Sequence, residues 1–140
     1  MGVGGSPEEH LTPSFSRSAL RAAFYLGGGV ATTAGLYTVL AGAKSLPSQE
    51  LGNPSVESEL RFYAAFYVAY GLVALRVAPR ADRDTMAVRA LAGALFLAGL
   101  ARAGGWRAVG RPHGVQRALL VIELAAPPLI VTWQARVAAR

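Results

Sequence analysis

Residues 115–137 read VQRALLVIELAAPPLIVTWQARV, and between Ala118 and Ala135 the one ionisable side chain is Glu123. A helix needs about 20 predominantly apolar residues, at about 1.5 Å of rise each, to cross a hydrocarbon core of roughly 30 Å. This stretch is long enough. In a soluble amphipathic helix, charges recur through the sequence and solvate an outer face. Here they sit at the two ends, with Trp133 placed as an interfacial anchor near the far end. The stretch is predicted to span a membrane.

The same pattern repeats outward from it. A basic connection, Arg107 to Gly114, holds Pro112 and His113 and separates this block from an apolar one at about 85–103. Gly104-Gly105 is expected to break that helix, Trp106 to anchor it, and Asp84 or Thr85 to cap its start. Before it, Arg80-Ala81-Asp82-Arg83-Asp84 forms a short charged turn after Pro79. An aromatic-rich block at about 58–78 precedes the turn, and a loop from Lys44 to Val56 with Pro47, Gly52, Asn53 and Pro54 as breakers precedes that block. The first apolar block covers about 19–43. Arg17, Arg21 and Ala41-Gly42-Ala43 imitate a signal peptide, but the apolar stretch well exceeds the usual 7–15 residues of such a core. Residues 1–16, rich in Gly, Ser, Pro and Glu, read as a flexible tail. The predicted architecture is therefore an all-α, up-down-up-down bundle of four transmembrane helices over residues 17–140.

Composition agrees. Of the 140 residues 53% are hydrophobic and only 16% charged, against roughly 25% charged in soluble domains. The net charge of +6 rests on arginines that flank apolar stretches. That distribution suits anionic lipid headgroups and topology control rather than nucleic acid, whose binders cluster charge on a polar face. Cysteine is absent, which excludes disulfides and thiolate metal sites. Heavy use of Ala, Gly, Val and Arg points to a GC-rich bacterial genome and an inner (plasma) membrane. Both termini fall on one side, read as cytoplasmic because Arg17, Arg21, Arg76, Arg80, Arg83, Arg89, Arg136 and Arg140 outnumber Lys44, Arg61, Arg102, Arg107, Arg111 and Arg117.

Glu123 is the residue of most chemical interest. A carboxylate in hydrocarbon is costly and ordinarily faces the bundle with a partner. Pro127 lacks the N–H that would bond the Glu123 carbonyl, so Pro127-Pro128 predicts a kink beside the acid. Gln116, Glu123 and Gln134 share a helical face. Ala90, Ala94, Ala98 and Arg102 form a small-residue row ending in a guanidinium, which is expected to face inward and bring Arg102 to Glu123; the other course for Arg102 is to snorkel. Gly27, Ala31 and Gly35 form a second close-packing row. Glu59, Phe62, Tyr63, Phe66 and Tyr70 share one face, either ordinary interhelical packing or a platform for a lipid tail, a quinone ring or a partner helix. Arg61 points away from that face, toward Glu57 one turn earlier. His113 lacks a second histidine at ligand spacing, so no metal is expected. No catalytic constellation and no cofactor motif stands out.

The segments Glu59-Leu60-Arg61-Phe62-Tyr63 with Gly71-Leu72, Gly99-Leu100-Ala101-Arg102, and Glu123-Leu124 with Pro127-Pro128 are similar to a bacterial family of small four-helix membrane proteins, the domain-of-unknown-function 4345 family, and more distantly to DoxX-type proteins. The resemblance covers about residues 19–136. It implies that Glu59, Arg61, Arg102 and Glu123 form the polar heart of the bundle. Ala103-Gly104-Gly105 departs from the bulky residue and serine that the family pattern places after Arg102. On this reading the expected function is a non-enzymatic accessory subunit docking onto a larger inner-membrane complex, with membrane lipids and other membrane subunits as partners and envelope lipid handling as the setting. The alternative is a small carrier or redox-associated module that binds a quinone or lipid beside Glu123 and Arg102; a proton-coupled transporter half, which would have to dimerise, is a third.

Overall fold

The computed structural model describes residues 11–47 and 53–139, and all regular structure among them is helical. Helix α1 spans Leu11–Ala41, α2 Pro54–Val77, α3 Thr85–Val109 and α4 Gly114–Ala138, with short 3-10 turns at Gly42–Ser45 and Ala78–Arg80. All four α-helices are long and apolar enough to cross a membrane. Residues 1–10 of the expected tail, 48–52 of the expected loop, and Arg140 lie outside the described residues.

Side-chain oxygens and glycines set the helix ends. Asn53 Oδ1 accepts from Ser55 N at 3.0 Å and Val56 N at 3.3 Å, and Pro54 follows at the first helical position, where a missing N–H costs nothing. Asp84 Oδ1 caps α3 by accepting from Ala87 N at 3.1 Å. His113 Nδ1 accepts from Val115 N at 3.3 Å at the start of α4. Gly42 (φ 59°) and Gly110 (φ 99°) end α1 and α3 in a backbone region that other residues rarely adopt.

Three boundaries differ from the sequence expectation, one of them the start of α2, which lies at Pro54 rather than near Ser58 because Asn53 caps it. α1 already begins at Leu11, inside the stretch read as tail. Pro13 sits in the first turn, where no helical hydrogen bond is lost, and the Trp133 indole donates to Ser16 Oγ at 2.8 Å, tying this turn to α4. α3 runs through Gly104-Gly105 to Val109. A glycine costs about 1 kcal/mol relative to alanine in a helix, which weakens the segment without ending it. α4, as expected, continues through Pro127-Pro128.

The helices associate as two hairpins, α1 with α2 and α3 with α4. Within the first, the backbones touch through Gly28, Gly35 and Gly71. A Cβ on Gly28 would lie 2.9 Å from the Gly71 carbonyl oxygen, and one on Gly35 would lie 2.8 Å from Val68 N. Gly27, expected in this row, faces open space instead, and the packed row is Gly28, Ala31 and Gly35.

The hairpins are fastened together at one end. There Leu20 and Phe24 of α1 pack with Ala74 and Val77 of α2, Ala78 and Ala81 of the turn, and Val88 and Leu91 of α3, while Ile130 and Trp133 of α4 close the cluster. Arg21 bridges to Asp82 at 2.9 Å, and Gln134 donates to Thr85 Oγ1 at 2.8 Å. Elsewhere the outer surface is apolar: Leu26 is 71% exposed and Leu129 is 66% exposed. Such a surface suits hydrocarbon, where the helices satisfy their own backbone; in water it would be an aggregation site.

Candidate intramembrane site

From the fastened cluster toward the other end the hairpins part around an open cavity of about 570 Å³ lined by all four helices. Phe24, Ala31, Leu91, Leu95 and Ile130 give it apolar walls, and Arg102, Glu123, Gln116 and Tyr67 bring polar groups to it. Its volume falls within the roughly 300–1,000 Å³ of small-molecule sites.

The polar side is built on α3 and α4. Gly99 lets these helices meet: a Cβ there would lie 2.8 Å from Leu124 Cδ2 and 3.0 Å from Glu123 Cβ. One turn later on the same face, Arg102 Nε donates to Glu123 Oε2 at 2.8 Å and Nη2 donates to Oε1 at 2.9 Å. The fork matches the carboxylate geometry, so both partners are fixed in orientation. Glu123 is 1% exposed, whereas the Arg102 side chain keeps 29% of its area exposed. Charge therefore cancels within the pair, and the guanidinium, not the carboxylate, is the accessible member. Tyr67 reaches from α2 close enough to interact with both. Gln116, two turns before Glu123, lines the cavity, but its Oε1 is closed off from that space and has no hydrogen-bond partner.

The residues expected to form one polar heart are split. Arg61 belongs to a separate clamp within the first hairpin. It donates to Glu57 Oε1 from Nε at 3.0 Å and from Nη2 at 2.7 Å, and from Nη1 to the carbonyls of Val39 and Leu40. Glu57 Oε2 in turn accepts from Ala43 N at 2.9 Å. This arrangement satisfies carbonyls left open at the end of α1. Glu59 is exposed on the outer side of α2. The sequence pattern offers two acids near Arg61, and helical spacing of four selects Glu57.

Other expectations shift in the same way. Ala90 and Ala94 are exposed, and the buried face of α3 is Val88, Leu91, Ala92 and Gly99, leading to Arg102. Of the aromatic face, Phe62, Tyr63 and Phe66 point outward, with Phe62 edge-on to Tyr63 at 5.5 Å and to Phe66 at 5.1 Å between ring centres. Tyr70 instead turns inward and donates to the Leu91 carbonyl at 3.2 Å. Gln134 and Glu123 are both buried on α4, but Gln134 serves the fastened end. Pro127 is buried beside Glu123, and the hydroxyl of Thr132 donates to the Pro128 carbonyl at 2.9 Å.

Tyr67, Gly99 and Asp82 carry weight that the sequence reading did not assign. Gly99 stands three residues before Arg102, the spacing that shares a helix face, and that spacing was the available signal. Asp82 is buried at 5% exposure because Ala78 and Ala81, both fully buried, draw the turn inward. Burial disfavours its ionised form, but hydrogen bonding from Arg21 and the charges of Arg21 and Arg83 outweigh this and hold the carboxyl below its ordinary value.

Four apolar helices in two hairpins, with a paired carboxylate and guanidinium facing an open cavity between them, define a small multi-pass membrane protein. The chain belongs to the family described as Domain of unknown function (DUF4345), whose model matches residues 19–134, from α1 to the last turns of α4. No curated protein and no solved structure matches it.

Proposed function

We propose that the chain is a non-enzymatic membrane binding protein that holds a lipid-soluble molecule between its two hairpins. The observation that carries this reading is the cavity of about 570 Å³, apolar on its walls and faced by a buried, internally neutralised ion pair. A molecule with a long apolar body and one polar group fits that division. Filling the cavity tests the proposal. Ala92→Phe places a ring into the lining from a buried position of α3. Mass spectrometry of the chain purified in mild detergent from native membranes is expected to find a stoichiometric lipophile that the variant lacks, with both proteins equally helical and monodisperse. The same molecules in both samples, or none in the wild type, would overturn the reading.

A second reading, an accessory subunit docked on a larger membrane complex, is favoured by the outward cluster of Phe62, Tyr63 and Phe66. A photoreactive residue in place of Phe66 is expected to cross-link one protein partner on that reading and lipid alone on the first. For topology, we take a bacterial plasma membrane with both termini cytoplasmic, supported by the arginines that gather at the fastened end. Single cysteines introduced at Arg83 and Arg111 test it, because the chain has no native cysteine to confuse the labelling.

A further inference from the structure

We infer that the cavity opens to the bilayer along the seam between α1 and α4 and holds there one acyl chain of an anionic phospholipid, whose phosphate lies on Arg111 and Arg117. This rests on the binding reading above and names the ligand class. The opening is read from exposure. Gly27, Val30 and Ala34 of α1 and Val115 and Ile122 of α4 line the cavity and are exposed, and Tyr63 is the one other described lining residue of which this holds. None of those five side chains carries a polar group, so the seam suits hydrocarbon. Along α4 the lining runs from Val115 to Ile130, about 22 Å at 1.5 Å per residue. That exceeds the roughly 15 Å that half of a 30 Å hydrocarbon core allots to one chain.

The charge comes from the connection leading into α4. Residues 107–117 hold Arg107, Arg111 and Arg117 and no acid. Arg117 is half-buried, its Nε is closed off without an acceptor, and its Nη2 lies over the first turn of α4, 3.7 Å from where a Gly114 Cβ would stand. The one acid on α4, Glu123, has both oxygens taken by Arg102. Arg117 thus carries a part-desolvated charge that no acid among the described residues pairs with. Withdrawing such a charge from water is costly, and an anion beside it offsets that cost. A phosphodiester stands at this height, because Val115 is the second residue of α4 and the acyl chain descends past it into the seam. Guanidinium groups match phosphate oxygens with paired N–H donors. A zwitterionic lipid brings its own compensating cation, and an uncharged lipid brings no anion.

The test uses the full chain in dodecylmaltoside and measures, by native mass spectrometry, retention of three probes with the same acyl chains: dioleoyl phosphatidylglycerol, dioleoyl phosphatidylcholine and dioleoylglycerol. Losing one hydrogen bond to a charged group weakens affinity about tenfold or more. The wild type is thus expected to hold phosphatidylglycerol at least that much more tightly than the other two. Arg111→Gln combined with Arg117→Gln is expected to abolish the preference while all three probes are still retained. Val30→Trp and Ile122→Trp each place a ring in the seam from an exposed position and are expected to lower retention of all three probes together. Equal retention of phosphatidylglycerol and phosphatidylcholine by the wild type would overturn the phosphate assignment. Unchanged retention in both tryptophan variants would overturn the seam. Either result leaves the cavity reading intact, provided that Ala92→Phe still loses its lipophile. If no probe and no native lipophile distinguishes the wild type from Ala92→Phe, the binding reading itself fails.

Discussion

Removing Arg102 should damage the bundle more than removing Glu123, and removing both should damage it least. The order follows from exposure. Arg102→Met leaves a carboxylate that is 1% exposed, wedged against α3 at Gly99, with its forked donor removed. Breaking a buried pair in this way costs about 3–5 kcal/mol. Glu123→Met leaves a guanidinium whose side chain is already 29% exposed. That group reaches the interface by snorkelling, so its loss of a partner costs roughly half as much, about 2 kcal/mol. The double variant removes both charges and is expected within about 1 kcal/mol of the wild type, since an apolar replacement spares the desolvation. The assay is reversible unfolding in mixed dodecyl sulfate and dodecylmaltoside micelles, followed by the fluorescence of Trp133 and Trp106. A gap of about 1.4 kcal/mol between the single variants corresponds to a tenfold difference in the unfolding constant and is readily measured. Equal penalties for the two single variants, or a double variant whose loss equals their sum, would refute the argument that the pair is a mutually dependent buried unit.

The hairpin contacts give three further expectations. Gly71→Val drives a side chain into Thr32 and the Gly28 carbonyl and should cost about 1–3 kcal/mol by overpacking, whereas Gly27→Ala, facing open space, should stabilise α1 by up to about 1 kcal/mol; the same micelle unfolding reads both. Gly42→Ala places a methyl group onto the Glu57 carboxylate in a left-handed backbone, so hydrogen exchange at Ala43 and the end of α1 should accelerate. Asp82 has its carboxyl held below the ordinary value, so its contribution is complete above about pH 4 and is lost as pH falls through the lowered value. Asp82→Asn should therefore lower stability at pH 7 and flatten the acid limb of the stability profile; an unchanged acid limb would show that the Arg21 contact contributes nothing.

How much of this was legible in the sequence depends on what the solvent marks. The four spans were readable because hydrocarbon demands length and excludes charge, and both demands are visible residue by residue. The phase of each helix was harder. In water a polar outer face shows which side is buried, but in lipid the outer and inner faces are both apolar. Only the charged residues marked direction: Glu123 on α4 faces inward, as its cost of burial required. On α3 the marker was Arg102, and following it back by fours through Ala98 and Ala94 to Ala90 rotates about 40° per step. By Ala90 the row has turned about 120° away from the guanidinium, which is why Val88, Leu91 and Gly99 form the buried face instead. The start of α1 was hidden for a different reason. Ser16 is held by Trp133, more than a hundred positions away, and no local pattern announces such a contact.

Polar contacts are distributed differently between the two ends of the bundle. At the fastened end two of them join the hairpins, Ser16 of α1 to Trp133 of α4 and Arg21 of α1 to Asp82 in the turn leading to α3, while Gln134 to Thr85 stays within the second. At the open end each ion pair stays within one hairpin. Arg61 serves α1 and α2, and Arg102 joins α3 to α4. Among the described residues Tyr67 alone brings a polar group from the first hairpin to the second pair. A bundle built only for rigidity would gain by stitching the hairpins together at both ends, because contacts between elements of distant sequence constrain the fold most. The last such stitch, the Tyr70 hydroxyl to the Leu91 carbonyl, lies in the cavity wall itself. On the binding reading proposed above, a guest between the hairpins would supply the cross-hairpin contacts that this end lacks.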